Sequence, residues 1–283
     1  MWKPSREAAR VALRVGFFAF LAVAGMLLFG QALLWIGGSA WYLLASVFSV
    51  FGAAVMANAL AVRTYEHGRL TDVGFAWNAA ARCNLGLGLG GGIGGAVLVL
   101  GVPLVAGAAE LSRTPSGGAS VLFVFVLLLF GAAGEEMLFH GYGFQVLLAV
   151  LGPWATILPT SVLFAWAHSS NLSASPLALA NTAAWGALLG WAFWRSGDLW
   201  LPIGLHVGWN WMLPLAGANL SGFTINVTGY AIRWKLPPLW SGGAYGPEGG
   251  LLTSAVLVVL FFCLWKAPVR RQRPLLLAAR WEA

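Results

Sequence analysis

Long apolar runs follow one another along nearly the whole of this chain, separated by short polar or glycine-rich turns, and that pattern leaves few folds open. The runs cover residues 15–36, 40–62, 84–108, 121–150, 154–168, 177–194, 199–214 and 251–265. A backbone inside a lipid bilayer can satisfy its N–H and C=O groups only as a helix or a closed barrel. Continuous apolar runs without alternation favour the helix. The expectation is an all-α, polytopic integral membrane protein with about eight transmembrane helices, forming a single transmembrane domain over 1–283. Only 9% of the residues are charged, against about 25% in an ordinary soluble domain, so little chain is left over for a soluble part.

The net charge of +7 does not point to nucleic acid, because the basic residues sit at the ends of the apolar runs. Lys3, Arg6, Arg10 and Arg14 precede the first run, and Arg63, Arg69 and Arg82 follow the second. Arg195 follows the sixth, and Lys266, Arg270, Arg271, Arg273 and Arg280 follow the last. These places fall on one side of the bilayer, so the positive-inside rule puts both termini of a multi-pass cell-membrane protein in the cytoplasm. The first run is long for the apolar part of a cleaved signal peptide. Cys83 and Cys263 lie far apart and imply neither a disulfide nor a cysteine metal site. The stretch 215–250 reads as a loop outside the membrane, either a lid over a site or simply a long connection, with strand-like alternation over 224–230. Residues 266–283 form a basic tail, and 110–120 a short polar loop with Gly117 and Gly118. The solvated segment 63–82 holds an exposed His67 and a short surface helix around 73–77. The glycines from Gly86 to Gly95 precede no Gly-Lys-Ser/Thr and read as helix packing rather than a phosphate cradle.

The run over 121–150 contains Gly134-Glu135-Glu136-Met137-Leu138-Phe139-His140. An ionised side chain at the middle of a bilayer costs roughly 2.5–3.5 kcal/mol. A fold tolerates that only where the group meets water or a partner. Glu136 and His140 are four residues apart and share a helix face, as do Phe164 and His168, and His206 and Asn210. Glu135 points about 100° away from Glu136, so the two carboxylates have different roles. A carboxylate, two imidazoles and a carboxamide around one water-filled pocket suit hydrolysis, with a base for the water and donors for an oxyanion. A lone intramembrane His or Asn commonly serves as helix glue, the reading given to Asn181 and Thr182. Four such groups from three helices exceed what glue needs. The patterns His-Glu-x-x-His, Gly-x-Ser-Gly and Gly-x-Gly-Asp are absent, and Asp72 and Asp198 sit in loops.

The three segments together resemble the CAAX prenyl endopeptidase and bacteriocin-processing (CPBP, or Abi) family of intramembrane glutamate-dependent proteases. Its pattern is Glu-Glu-x-x-x-Arg, Phe-x-x-x-His and His-x-x-x-Asn, and the resemblance covers about residues 120–213, including the similar flank 196–206. It implies an intramembrane endopeptidase hydrolysing a peptide bond of a peptide or membrane-tethered protein substrate. Glu135 would be the general base, His168 would hold the water, and His206 and Asn210 would stabilise the oxyanion. Glu136, His140 and Phe164 would support them. The sequence departs from the family at His140, where the pattern has Arg. Histidine is shorter and its charge is conditional, which implies a pH-sensitive or impaired site. No cofactor is expected and no metal is assigned, although Glu136, His140, His168 and His206 are ligand types that a divalent metal accepts. The alternatives are a non-catalytic scaffold or immunity-type binding protein on the same fold, and a proton-coupled transporter. A straight fifth helix would leave His168 at its far end, with Glu135 and His206 nearer mid-depth. Tilt, a kink near Pro159 or a longer helix would reconcile them.

Overall fold

The computed structural model describes residues 6–115 and 120–277. Lys3, Arg280 and the Gly117–Gly118 turn lie outside the described residues. The chain is an all-α membrane protein built from α1 (Arg6–Gly37), α2 (Tyr42–Glu66), α3 (Ala79–Val105), α4 (Val121–His140), α5 (Tyr142–Leu151), α6 (Pro153–Ala167), α7 (Pro176–Ser196) and α8 (Trp200–Leu215), then the one-turn α9 (Pro238–Ser241) and α10 (Leu251–Lys266). Two short strands, β1 (Ala109–Arg113) and β2 (Tyr230–Trp234), pair antiparallel with Ala109 opposite Trp234.

Among the described residues, four stretches are long and apolar enough to cross a membrane: α1, α2, α3 and the joined Val121–Leu151. The expected eight are therefore not all of spanning length. Helices α6, α8 and α10 have 15, 16 and 16 residues. At about 1.5 Å per residue that is roughly 22–24 Å, short of a ~30 Å hydrocarbon core. Helix α7 is longer, at 21 residues, but polar Asn181, Thr182 and Arg195 dilute its apolar character. These shorter helices carry most of the candidate site.

The glycine stripe of α3 packs as its composition suggests. A Cβ on Gly88 would collide with the carbonyl of Leu201, and one on Gly92 with that of Leu205. Reciprocally, a Cβ on Gly204 would meet the Leu85 carbonyl at 2.6 Å, and one on Gly208 the Leu89 carbonyl at 2.7 Å. Small residues four apart on both helices thus let the backbones touch. The contact buries α8 without interruption from Leu201 to Trp209, placing His206 inside the protein. The start of α8 is pinned as well. Asp198 caps the N–H of Leu201 and accepts from Asn84 on α3 and Gln272 in the tail, both at 2.6 Å. Burial pushes the Asp198 carboxyl up, and these donors pull it back.

Three local expectations need correction. The run over 121–150 is not one helix, because it breaks at Gly141. The break stands because its freed backbone groups find partners, as a bilayer requires. Asn58 of α2 donates to the Met137 carbonyl and accepts from the Tyr142 N–H, while Gln145 donates to the His140 carbonyl. The surface helix expected around 73–77 is instead a 3-10 turn over Leu70–Val73, closed by Gly74 at φ 99°. The alternation over 224–230 forms no strand; pairing begins at Tyr230, where β1 supplies a partner. His67 is exposed, and both cysteines are free.

Candidate active site

Glu135 and Glu136 lie in the last turns of α4, and the turn between them sends them to different places. Gly134 lets α2 come close on one side, since a Cβ there would lie 2.9 Å from the Phe51 backbone. Glu136 turns into the interior with 0% of its side chain exposed, whereas Glu135 keeps 31% of its side chain exposed.

Each oxygen of Glu136 meets an imidazole. Its Oε2 lies 2.7 Å from Nδ1 of His140, and its Oε1 lies 2.8 Å from Nδ1 of His206 on α8. A carboxylate only accepts, so both Nδ1 atoms carry protons. The same logic fixes His168, whose Nδ1 donates to the Phe164 carbonyl at 2.8 Å. Three imidazoles are therefore oriented by local acceptors, which leaves the Nε2 atoms to face outward. Those of His168 and His206 each lie 3.8 Å from Oε2 of Glu135, an oxygen with no hydrogen-bond partner among the described residues. A separation of 3.8 Å is too long for a direct hydrogen bond. It does allow a third atom, off the line between them, to sit about 2.8 Å from both. One carboxylate oxygen and two imidazole nitrogens thus face one another without a direct hydrogen bond.

Phe164 forms a wall of this gap. Its ring lies 4.6 Å from that of His168 and 5.0 Å from that of Phe139. Asn210 follows His206 by one turn on α8; it is half-buried and its carboxamide makes no hydrogen bond among the described residues. His140 is brought to Glu136 but not to the gap. Its Nε2 packs against α7, 3.3 Å from where a Cβ on Gly190 would stand. The set Glu136, His140, His168 and His206 does not converge on a point, because Glu136 spends both oxygens on Nδ1 atoms. Among the described residues no group of three or more His, Cys, Asp or Glu side chains is arranged to hold a metal ion.

The two polar residues expected to join helices split. Asn181 reaches α10 by accepting from Ser254, while Thr182 bonds within its own helix to Ala178. How His168 meets Glu135 follows from the position of the Gly152–Pro153 turn. Helix α5 carries the chain on beyond His140 before it turns at Gly152 and Pro153. Roughly as many residues lie from Glu135 to that turn as from the turn to His168, so the chain returns to the same level. Neither a kink at Pro159 nor a longer α6 is required.

A residue that the sequence reading passed over also belongs to this region. Glu248, in the segment between α8 and α10, is 8% exposed. It accepts from the indole N–H of Trp209, the residue between the His206 turn and Asn210. The available signal was that Glu248 is the one acid between 217 and 250.

Fold and site together define a multi-pass, all-α membrane protein with a glutamate–histidine centre enclosed by its shorter helices. Residues 117–212 match the family described as Rce1-like, type II CAAX prenyl endopeptidase Rce1-like. The match takes in α4 through the His206–Asn210 turn of α8, and it supports the CPBP resemblance carried by the three motifs. No curated protein matches the chain.

Proposed function

We propose that the protein is an intramembrane endopeptidase that hydrolyses a peptide bond of a peptide or membrane-tethered protein substrate. The observation that carries this reading is the unpartnered Glu135 oxygen facing two imidazole Nε2 atoms at equal distance. Water in that gap gives one hydrogen bond to Glu135 and one to His168. Glu135 takes a proton as the water oxygen attacks the peptide carbonyl carbon. His206 meets the resulting oxyanion as an imidazolium, with Nδ1–H on Glu136 and Nε2–H on the oxyanion. Glu136 supplies the buried counter-charge, and the Asn210 amide is the second donor. Protonated Glu135 then passes its proton to the peptide nitrogen. The C–N bond breaks, leaving a new carboxyl terminus and a new amino terminus. His140 holds Glu136 from the far side in place of the family Arg. Water and these side chains suffice, so no metal or other cofactor enters the scheme.

In this reading the shorter apolar helices α6, α7, α8 and α10 are embedded with the four long ones, giving eight in all. Both termini are cytoplasmic in the cell membrane, and the sequence forms a single transmembrane domain. The test is incubation of the purified protein, in lipid discs, with a diverse pool of peptides and membrane proteins, with products read by mass spectrometry. New internal termini that disappear in Glu135→Gln are expected. A folded wild type that binds pool members without producing termini would favour the scaffold reading.

A further inference from the structure

The segment between α8 and α10 contains a buried carboxylate that the hydrolytic scheme leaves unused. Glu248 accepts from Nε1 of Trp209 at 3.1 Å through one oxygen, and from the backbone N–H and hydroxyl of Ser221 at 2.6 and 2.9 Å through the other. Its backbone carbonyl accepts from Asn181 of α7. The Ser221 turn is itself forced. Ser221 has φ 48°, and a Cβ on the following Gly222 would collide with the carbonyl of Leu172, in the loop just after His168. The Glu248 side chain thus ties Ser221 to α8 beside His206 and Asn210, its carbonyl holds Asn181 of α7, and the Ser221–Gly222 turn lies against the loop after His168. Three donors and no acceptor are the surroundings that a carboxylate, rather than a carboxylic acid, satisfies.

We propose that Glu248 is a third carboxylate of the site: a positioning residue that clamps the capping segment onto the Trp209 turn of α8 and sets a fixed negative charge beside His168 and His206. Trp209, which Glu248 binds, lies within one turn of both His206 and Asn210 on α8. Burial pushes the Glu248 carboxyl above its ordinary range, while Ser221, Trp209 and nearby His168 pull it back. The other titratable groups that face it are His206 on α8 and Tyr245 in the cap. The peptidase reading is needed only for the catalytic consequence of this arrangement, not for the arrangement itself. The clamp holds the oxyanion donors in register with Glu135, and the charge favours the imidazolium that such a donor must be.

The experiment is a side-chain nitrogen NMR titration of the full chain in lipid discs with labelled histidine. The four histidines give four pairs of ring-nitrogen signals, and exposed His67 serves as internal reference. In Glu248→Gln, which keeps the shape and removes the charge, the midpoints of His168 and His206 move to lower pH by at least about half a unit, a roughly threefold loss of proton affinity. His67 does not move. Glu248→Asp keeps the charge and holds both midpoints near wild type. Ser221→Ala, a milder change that leaves the backbone N–H in place, shifts them in the same direction by less, and reads the proposal if Gln at 248 does not fold. Where cleavage is measurable, Glu248→Gln lowers kcat about tenfold or more and leaves KM within about twofold, the pattern of a lost transition-state interaction. Unmoved His168 and His206 midpoints in folded variants overturn the proposal. Midpoints that move in a protein that cleaves nothing uphold it and overturn the peptidase reading.

Discussion

Replacing Glu136 by Gln gives a sharp test of how the centre is held. The side chain is fully buried and receives two Nδ1–H groups, at 2.7 and 2.8 Å. An amide has one oxygen and one NH2, so only one imidazole can keep its bond. The other finds a donor facing its own N–H and must move its proton to Nε2 or turn away. A hydrogen bond to a charged group contributes about 1.5–3 kcal/mol. Weakening one such bond and reversing the other predicts a stability loss of about 2–4 kcal/mol. The catalytic loss is larger, because His206 loses both its fixed tautomer and the counter-charge of its imidazolium. The corresponding change in a serine-protease triad costs about 10⁴ in kcat, and about 10²–10⁴ is expected here. The assay pairs unfolding in detergent with kcat and KM on a substrate found by mass spectrometry. A folded Glu136→Gln protein with kcat within threefold of wild type would refute the claim that this carboxylate orients the imidazoles.

Three further outcomes follow from particular contacts. Gly92→Ala places a methyl against the Leu205 backbone, which cannot yield, and costs about 3 kcal/mol or more by thermal unfolding; Gly90→Ala, with nothing within 4 Å of its Cβ position, is neutral or stabilising by up to about 1 kcal/mol. The Glu110 carboxyl is held below its ordinary range by Lys235, first through their hydrogen bond and then by charge. Its contribution to the β1–β2 sheet is therefore present above the unfolded value of 4.5 and lost as the pH falls through the lower folded value; Glu110→Gln removes that acid-side loss, read by amide exchange over 109–113. Cleavage, finally, persists in excess chelator with an unchanged rate; abolition by chelator and recovery on adding zinc would place a metal in the scheme.

The centre was legible because its parts are local. A spacing of four puts Glu136 with His140, and Phe164 with His168, whatever the rest of the chain does. The glycine stripe of α3 was equally legible, since small residues four apart have one common use in membranes. The break at Gly141 was not. No proline marks it, and it is held by Asn58, far back along the chain in α2. Strand β2 escaped because pairing with β1, rather than alternation, decides where a strand begins. Glu248 was illegible for a similar reason. An acid in a Gly-Pro-rich connection reads as solvated, and only Trp209 and Ser221, both distant in sequence, show it buried.

The most direct test of Glu135 as the base is the single-turnover rate of wild type and Glu135→Gln on one cleaved substrate, with substrate affinity measured alongside. Gln keeps the size of the side chain and cannot take a proton, so the rate falls by about 10²–10⁴ while affinity stays within about threefold. A Glu135→Gln protein that turns over within tenfold of wild type would show that the activated water lies elsewhere.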